Sequence, residues 1–279
     1  MTYFEILKRG EKLLKKCTEY YRFDSWCLFS DAFSMDKTRY FLKKDEEAPE
    51  TEAKAFFEKL EERKNGRPLQ YILGVWQFLD CDFYVGEGVL IPRQDTECLV
   101  LKAFEYIRKN DVKTVYDLCS GSGCIGICVA KEFPETDVVL FEKSDEAIKF
   151  IEKNIALNSV KNVRIVKGDL FNGADCYSLN DADLILSNPP YIKTEDIVSL
   201  QKEVLFEPKE ALDGGEDGLC FYKALRDEWF VKNKCECIMM ECGEDQAEDI
   251  VKMFSSVGDT GFITDMNGIL RDVIVLKRR

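Results

Sequence analysis

Apolar residues over the first 74 positions recur at helical spacing. Phe4, Leu7, Leu13 and Leu14 sit among lysines and glutamates, and Phe56, Phe57 and Leu60 repeat the pattern. Three- and four-residue spacing gathers such side chains on one helix face. Thr51-Glu52-Ala53-Lys54 is expected to open the last of these helices, and Asn65-Gly66 followed by Pro68 to close it. Asp45-Glu46-Glu47-Ala48-Pro49 reads as a solvated loop. Between Val75 and Pro92 the period shortens. Trp76 and Phe78, then Phe83 and Val85, alternate about Asp80 and Gly86-Glu87-Gly88, which predicts short strands in a hairpin. From Asp95 to Lys109 the helical pattern returns with Leu99, Val100, Ala103, Tyr106 and Ile107.

Beyond Asp111 the rhythm is strand, helix, strand. Thr114–Leu118, Val138–Phe141, Val163–Val166, Leu184–Leu186 and Ile238–Met240 are short apolar runs, as buried parallel strands require. Amphipathic stretches such as Ala147, Ile148, Ile151, Ile155 and Leu157 separate most of them. Phe262-Ile263 and Val273–Leu276 are joined by little more than Asn267-Gly268, too short for a parallel crossover, so these two strands should pair antiparallel. The expected fold class is α/β: a doubly wound, Rossmann-like sheet with an antiparallel last strand, preceded by a small helical domain and a β-hairpin connector. The expected boundaries are 1–74, 75–92 and 93–279.

Composition narrows the chemistry. The 279 residues contain no histidine, which removes imidazole bases, histidine triads and the usual zinc sites. A net charge of −13 argues against wrapping a phosphate backbone, so no direct nucleic-acid binding is expected, although a local basic patch is compatible with an acidic chain. No run approaches the roughly 20 apolar residues of a membrane span. Met1–Lys8 lacks a long apolar core, and the twelve cysteines are scattered, so a reducing, cytoplasmic location and a monomer are expected. Cys235 and Cys237 have no second pair at ligand spacing, and no metal is expected.

Thr114–Leu118 runs into Cys119-Ser120-Gly121-Ser122-Gly123-Cys124-Ile125-Gly126, a glycine-bearing strand-to-helix turn against which a ligand can lie. The turn alone does not separate a dinucleotide from S-adenosylmethionine, nor either from a plain turn. Three acids change the balance: Asp117 closes the first strand of the sheet, Glu142 the second and Asp169 the third. Strand ends of one hand open onto one crevice. There Glu142 would take the ribose hydroxyls of an adenosine, Asp169 the adenine amino group, and Asp117 the cationic methionine end. A pyrophosphate would be less welcome beside Asp117.

Asn188-Pro189-Pro190-Tyr191 follows the fourth strand. Two prolines remove two backbone donors and fix both φ angles, which makes a rigid ledge. The Pro189 carbonyl and the Asn188 side-chain carbonyl can then accept hydrogen bonds from one NH2 group, and Tyr191 offers a flat face to a planar acceptor. In this position the motif resembles the amino-group methyltransferases. The wider chain resembles the release factor glutamine methyltransferase family through Pro68–Gly74, Val89–Glu97, Asp117–Gly123, Asn188–Tyr191, Phe206-Glu207-Pro208 with Ala211-Leu212 and Gly214-Gly215, and Glu241-Cys242-Gly243 with Gln246.

The resemblance implies methyl transfer from S-adenosyl-L-methionine to the side-chain amide nitrogen of glutamine in the Gly-Gly-Gln loop of peptide chain release factors. It places Asn188 and Pro189, with Pro190 and Tyr191, on the substrate amide. It places Cys119, Ser120, Gly121, Ser122, Gly123, Glu142, Leu170 and Asn188 around the cofactor. Cys119 stands where the family usually has glycine, Glu142 where it has aspartate, and Gln94 where it has proline. Two other readings fit parts of the chain: a nucleic-acid methyltransferase acting on an adenine or guanine amino group, and an inactive interaction protein that retains the fold. Residues 206–218 read equally as a lid or an ordinary loop. Arg67 and Arg93 read as solvated surface residues or as substrate contacts.

Overall fold

A computed structural model describes residues 1–264, 268 and 270–278. The chain divides into two compact units, Met1–Val75 with Gln201–Phe206, and Trp76–Leu200 with Glu207–Arg279. The first unit is helical: α1 (Tyr3–Leu14), α2 (Tyr21–Phe33), α3 (Lys37–Lys43), α4 (Glu50–Lys64) and α5 (Leu69–Leu73). Thr2 and Glu5 form a reciprocal capping box at the start of α1. Its buried face is Tyr3, Ile6, Leu7, Gly10 and Leu14, whereas Phe4 is exposed, a rotation of the face expected from spacing. The helix starting near Thr51 begins at Glu50, and the short α5 follows it.

Tyr3, Phe29, Phe33, Tyr40 and Phe56 meet in edge-on and tilted ring contacts, the geometry that aromatic quadrupoles favour. Arg63 is buried in the same unit and donates to Asp24 at 2.7 Å and to Glu203 at 2.9 Å. The Glu203 bond ties Gln201–Phe206 to this unit although it lies 140 residues away in sequence.

The second unit is built on a seven-stranded sheet. Its strands are β3 (Thr114–Leu118), β4 (Asp137–Glu142), β5 (Val163–Lys167), β6 (Leu184–Ser187), β7 (Cys237–Glu241), β8 (Gly258–Thr264) and β9 (Leu270–Lys277). Their order is β5-β4-β3-β6-β7-β9-β8. The first five pair parallel, and β9 runs antiparallel to both β7 and β8. This is the doubly wound sheet with one reversed strand that the apolar runs predict. The turn expected at Asn267-Gly268 falls, through Asn267, outside the described residues. The short strands β1 (Val75–Phe78) and β2 (Cys81–Tyr84) form the expected two-stranded sheet.

Helices α6 (Thr96–Lys109), α7 (Cys124–Glu132), α8 (Asp145–Asn158), α9 (Gly173–Tyr177), α10 (Cys220–Ala224) and α11 (Ala247–Phe254) accompany the sheet. On one side Phe141, Tyr222, Trp229, Phe230 and Phe254 pack around Tyr116, Ile185 and Ile238. The Trp229 indole donates to the Leu170 carbonyl at 2.8 Å, which satisfies its only donor inside that core. Cys235 and Cys237 are fully buried, and no group of residues suited to a metal ion occurs among the described residues. No helix among them is long and apolar enough to cross a membrane.

Candidate functional site

The carboxyl ends of β3, β4, β5 and β6 open onto a cavity of ≈ 600 Å³. Its walls include Cys119 and Gly121 after β3, Glu142 at the end of β4, Asp169 and Leu170 after β5, and Asn188 and Pro190 after β6. Thus residues up to 71 positions apart converge because parallel strands deliver their ends to one side. Val89, Phe141, Phe171 and Phe221 supply much of the apolar remainder, and Lys209–Ala211 and Asp213 close another side.

The glycine turn is held from below. Ser120 donates through Oγ to the Asp117 carbonyl at 2.7 Å, and the Cys119 and Ser120 N–H groups donate to the Phe141 carbonyl. Cys119 adopts a left-handed φ of 64°, a conformation that costs a side-chain-bearing residue about 1–2 kcal/mol. That cost accounts physically for glycine as the alternative residue there. Gly121 faces the cavity with φ 55°, and a Cβ placed on it would meet no atom within 4 Å, so its missing side chain belongs to the cavity space. Ser120, Ser122 and Gly123 are buried in the turn and do not line the cavity.

The three acids differ in what they touch. Asp117 is the fourth of five residues in β3 rather than its last, and its side chain is fully buried. Its Oδ2 accepts from Gly126 N–H at 3.0 Å, while Oδ1 is buried with no partner. Glu142 lies at the cavity wall and accepts from the Gly121, Lys143 and Ser144 N–H groups, each at 2.8 Å. One carboxylate therefore clamps the glycine turn to the end of β4. Burial pushes the Glu142 carboxyl above its ordinary range, against those three donors. Asp169 caps the turn Leu170–Asn172 by accepting from Phe171 N–H at 3.0 Å, and pairs with Lys143 at 2.9 Å. Burial opposes its charge, but Lys143 and the Phe171 donor outweigh it and hold the carboxyl below the usual range.

The ledge begins where β6 ends, with Ser187 donating through Oγ to the Leu118 carbonyl at 2.7 Å. Asn188 and Pro190 reach the cavity; Pro189 is buried behind them, and Tyr191 is half-buried against the core. Asn188 Nδ2 donates to Thr96 Oγ1 at 3.2 Å, and Thr96 in turn donates to the buried Glu241. The Tyr191 hydroxyl lies 3.5 Å from the other Glu241 oxygen. Gln246 Nε2 donates to the Tyr191 carbonyl at 2.9 Å and to the Gly218 carbonyl at 3.2 Å. Among the described residues no donor reaches the Pro189 carbonyl or the Asn188 side-chain carbonyl; Asn188 lines the cavity, and Pro189 does not.

Thr96 was invisible to spacing arguments, and Glu241 carried weight only through resemblance. A signal was present: a glutamate closing the buried run Cys237–Met240 needs a donor nearby. Phe206–Gly218 is not a free loop. Glu207 is buried, accepts from Ile91 N–H at 3.0 Å and pairs with Arg93. Arg93 thus holds that segment, and Arg67 pairs with Glu62; neither is simply solvated.

Burial pushes the Asp117 carboxyl up to about 7, the Gly126 N–H opposing and the Glu142 charge adding. In the folded chain Asp117 thus keeps its proton to about pH 7, whereas unfolded it loses it near 4. The folded state binds more protons across that window, so this group's contribution to stability falls as pH rises from 4 to 7. Asp117→Asn should flatten the pH dependence by on the order of 1–2 kcal/mol between pH 5 and 7.5. Urea unfolding of both proteins at the two pH values tests this; parallel slopes would refute it.

Residues 96–225 match the family described as methyltransferase small domain, and residues 5–74 match the PrmC N-terminal domain. The release factor glutamine methyltransferase of Clostridium acetobutylicum is 34% identical over 277 residues, covering 98% of this chain and 97% of that protein. That of Geobacter sulfurreducens is 38% identical over 269 residues, covering 94% and 91%. Among solved structures, a T. thermophilus 16S rRNA N2 methyltransferase in complex with AdoMet and guanosine superposes with a TM-score of 0.51 at 14% identity, over 73% of this chain and 50% of that one. This last likeness is one of fold.

Proposed function

Because the chain belongs to the release factor glutamine methyltransferase family, we propose that it transfers a methyl group from S-adenosylmethionine to the side-chain amide nitrogen of a glutamine in a peptide chain release factor. The observation that carries this reading is the opening of the Asn188–Pro190 ledge onto the same cavity as Gly121, Glu142 and Asp169. Acceptor grip and cofactor cradle share one chamber.

The residues fit the cofactor. A cavity of ≈ 600 Å³ lies within the range of small-molecule sites. Glu142 Oε2 uses one backbone donor and keeps acceptor capacity for a ribose hydroxyl. The buried Asp117 Oδ1 has no hydrogen-bond partner, and once ionised it would accept from a donor such as an ammonium group, directly or through water. Leu170, Phe171 and Val89 offer apolar surface to a purine.

When bound, S-adenosylmethionine supplies a methyl group on an already activated sulfonium, so the chain's own task is positioning and electrostatics. The nitrogen of an amide is a weak nucleophile because its lone pair is delocalised. Asn188 Oδ1 and the Pro189 carbonyl accept from the two N–H bonds of the acceptor, orient the nitrogen and hold positive charge as it develops. Apolar walls at Val89, Leu90, Phe141 and Phe221 exclude water and strengthen those bonds. No imidazole base exists in the chain, so the proton that the methylated nitrogen gives up after transfer would pass to water.

Incubation with labelled S-adenosylmethionine and a release factor tests the proposal. Label should appear on the release factor and fall at least 100-fold when the loop glutamine is replaced by alanine. Equal label on both, or none on either, would overturn it.

A further inference from the structure

We propose that Glu241 and Thr96 are positioning residues that fix the polarity of the Asn188 side-chain amide, so that its carbonyl and not its NH2 faces the acceptor. The inference deepens the reading above and rests on Asn188 gripping the acceptor's NH2 group. An asparagine amide is nearly symmetric in shape, and turning it over exchanges an acceptor for two donors. A donor facing the acceptor's own NH2 would repel it. Something must therefore hold the amide one way round.

The chain supplies that through one proton. Glu241 closes β7 and is 3% exposed, behind a strand of fully buried residues. An ionised carboxylate only accepts hydrogen bonds. The Thr96 hydroxyl has one proton and donates it to Glu241 Oε2. What remains on Thr96 Oγ1 is acceptor capacity, and Asn188 Nδ2 fills it at 3.2 Å. The Asn188 carbonyl is then the end left for the cavity. Thr96, the first residue of α6, reaches this spot from 92 positions away in sequence. The same carboxylate meets the Tyr191 hydroxyl at 3.5 Å through Oε1, so it touches the ledge at both ends.

The other groups around Glu241 are consistent with a charged but titratable carboxylate. Burial pushes its carboxyl up to about 7; Asp95 adds to this, and Thr96, Asn188 and Arg271 oppose it. Cys124, Cys242 and Tyr191 also sense its charge, and the Tyr222 hydroxyl donates to its backbone carbonyl at 2.8 Å. Protonated Glu241 can donate to Thr96, which releases the threonine proton toward Asn188 and removes the bias. Activity should therefore have an acid limb near pH 7 to which this carboxyl contributes beside Asp117, which titrates in the same range.

The test compares E241Q, T96V and T96S with the wild-type chain in release-factor methylation. E241Q and T96V should lower kcat at least 10-fold while leaving KM for the release factor and Kd for S-adenosylmethionine within about twofold. T96S, which keeps the hydroxyl, should recover most of the rate, and E241Q should have a shallower acid limb than the wild type, the Asp117 part remaining. Undiminished kcat in E241Q and T96V, with an active wild type, would overturn the proposal and leave the function intact. Wild-type chain that labels no release factor would overturn the function instead. NMR of the 15N-labelled Asn188 side-chain NH2 then decides the present point separately. Its proton shifts should titrate near pH 7 in the wild type and not in E241Q, and unchanged shifts in the wild type would overturn it.

Discussion

Asn188→Ala should lower kcat by about 10²–10³-fold, a loss of roughly 2.7–4 kcal/mol, comparable with removing one oriented polar group from a dry catalytic site. The truncation takes away the acceptor that opens onto the cavity from the end of β6 and leaves Thr96 Oγ1 without its donor. Because the lost bond strengthens as charge develops on the acceptor nitrogen, the effect should fall on kcat more than on KM. Affinity for S-adenosylmethionine should change much less, since Gly121, Glu142 and Leu170 remain on the cavity wall. Single-turnover kinetics with saturating release factor measure this directly. A variant with wild-type turnover would remove Asn188 from the mechanism altogether.

The second large effect is expected from Gly214→Ala. A Cβ at this position would lie 2.7 Å from Tyr191 Cα, 2.8 Å from the Tyr191 carbonyl carbon and 2.9 Å from the Pro190 carbonyl oxygen. These are backbone atoms with little room to yield. Pro190 has its φ fixed by its ring, and Gly214 N–H donates to the Ile192 carbonyl at 2.8 Å while Ile192 N–H donates to Leu212 at 2.9 Å. The added methyl must either push the ledge outward or peel residues 212–215 away from it. A displacement of about 1 Å at a positioning element costs on the order of 100-fold in rate, so kcat should fall by about that factor. Gly261→Ala is the contrast: its Cβ would meet only the Ile274 side chain, at 3.1 Å, and turnover should stay within twofold. Activity in the Gly214 variant equal to that of the Gly261 variant would show that the ledge tolerates displacement.

Much of the sheet was legible because a parallel strand covered on both faces must be a short apolar run. Thr114–Leu118 and Leu184–Ser187 carry that requirement openly. Helix faces were less legible. Phe4 and Ile6 are equally apolar, and only packing against the other helices decides that Ile6 is covered. The acids showed where the crevice lies but not how each is used. Asp117 lies within β3, one residue before its end, and is buried there, whereas Asp169 lies two residues beyond β5 and is free of the strand to cap a turn. The Thr96–Glu241–Asn188 connection could not be read at all, since it joins three elements separated by 92 and 145 residues. Spacing rules describe what one helix or strand does. They are silent about which elements the topology brings into contact.

That topology has a consequence for how the molecule assembles. Strand β9 inserts between β7 and β8, and β8 has no other neighbour in the sheet. Until β9 arrives, β7 presents an open row of N–H and C=O groups, and β8 has nothing to pair with. An unpaired edge is sticky toward other chains. Glu241 sits on that edge, in register with Asp272. The region that orients the reactive amide thus depends on β9 to cover its edge, and a chain with β9 detached exposes it as a site of mispairing rather than a site of chemistry.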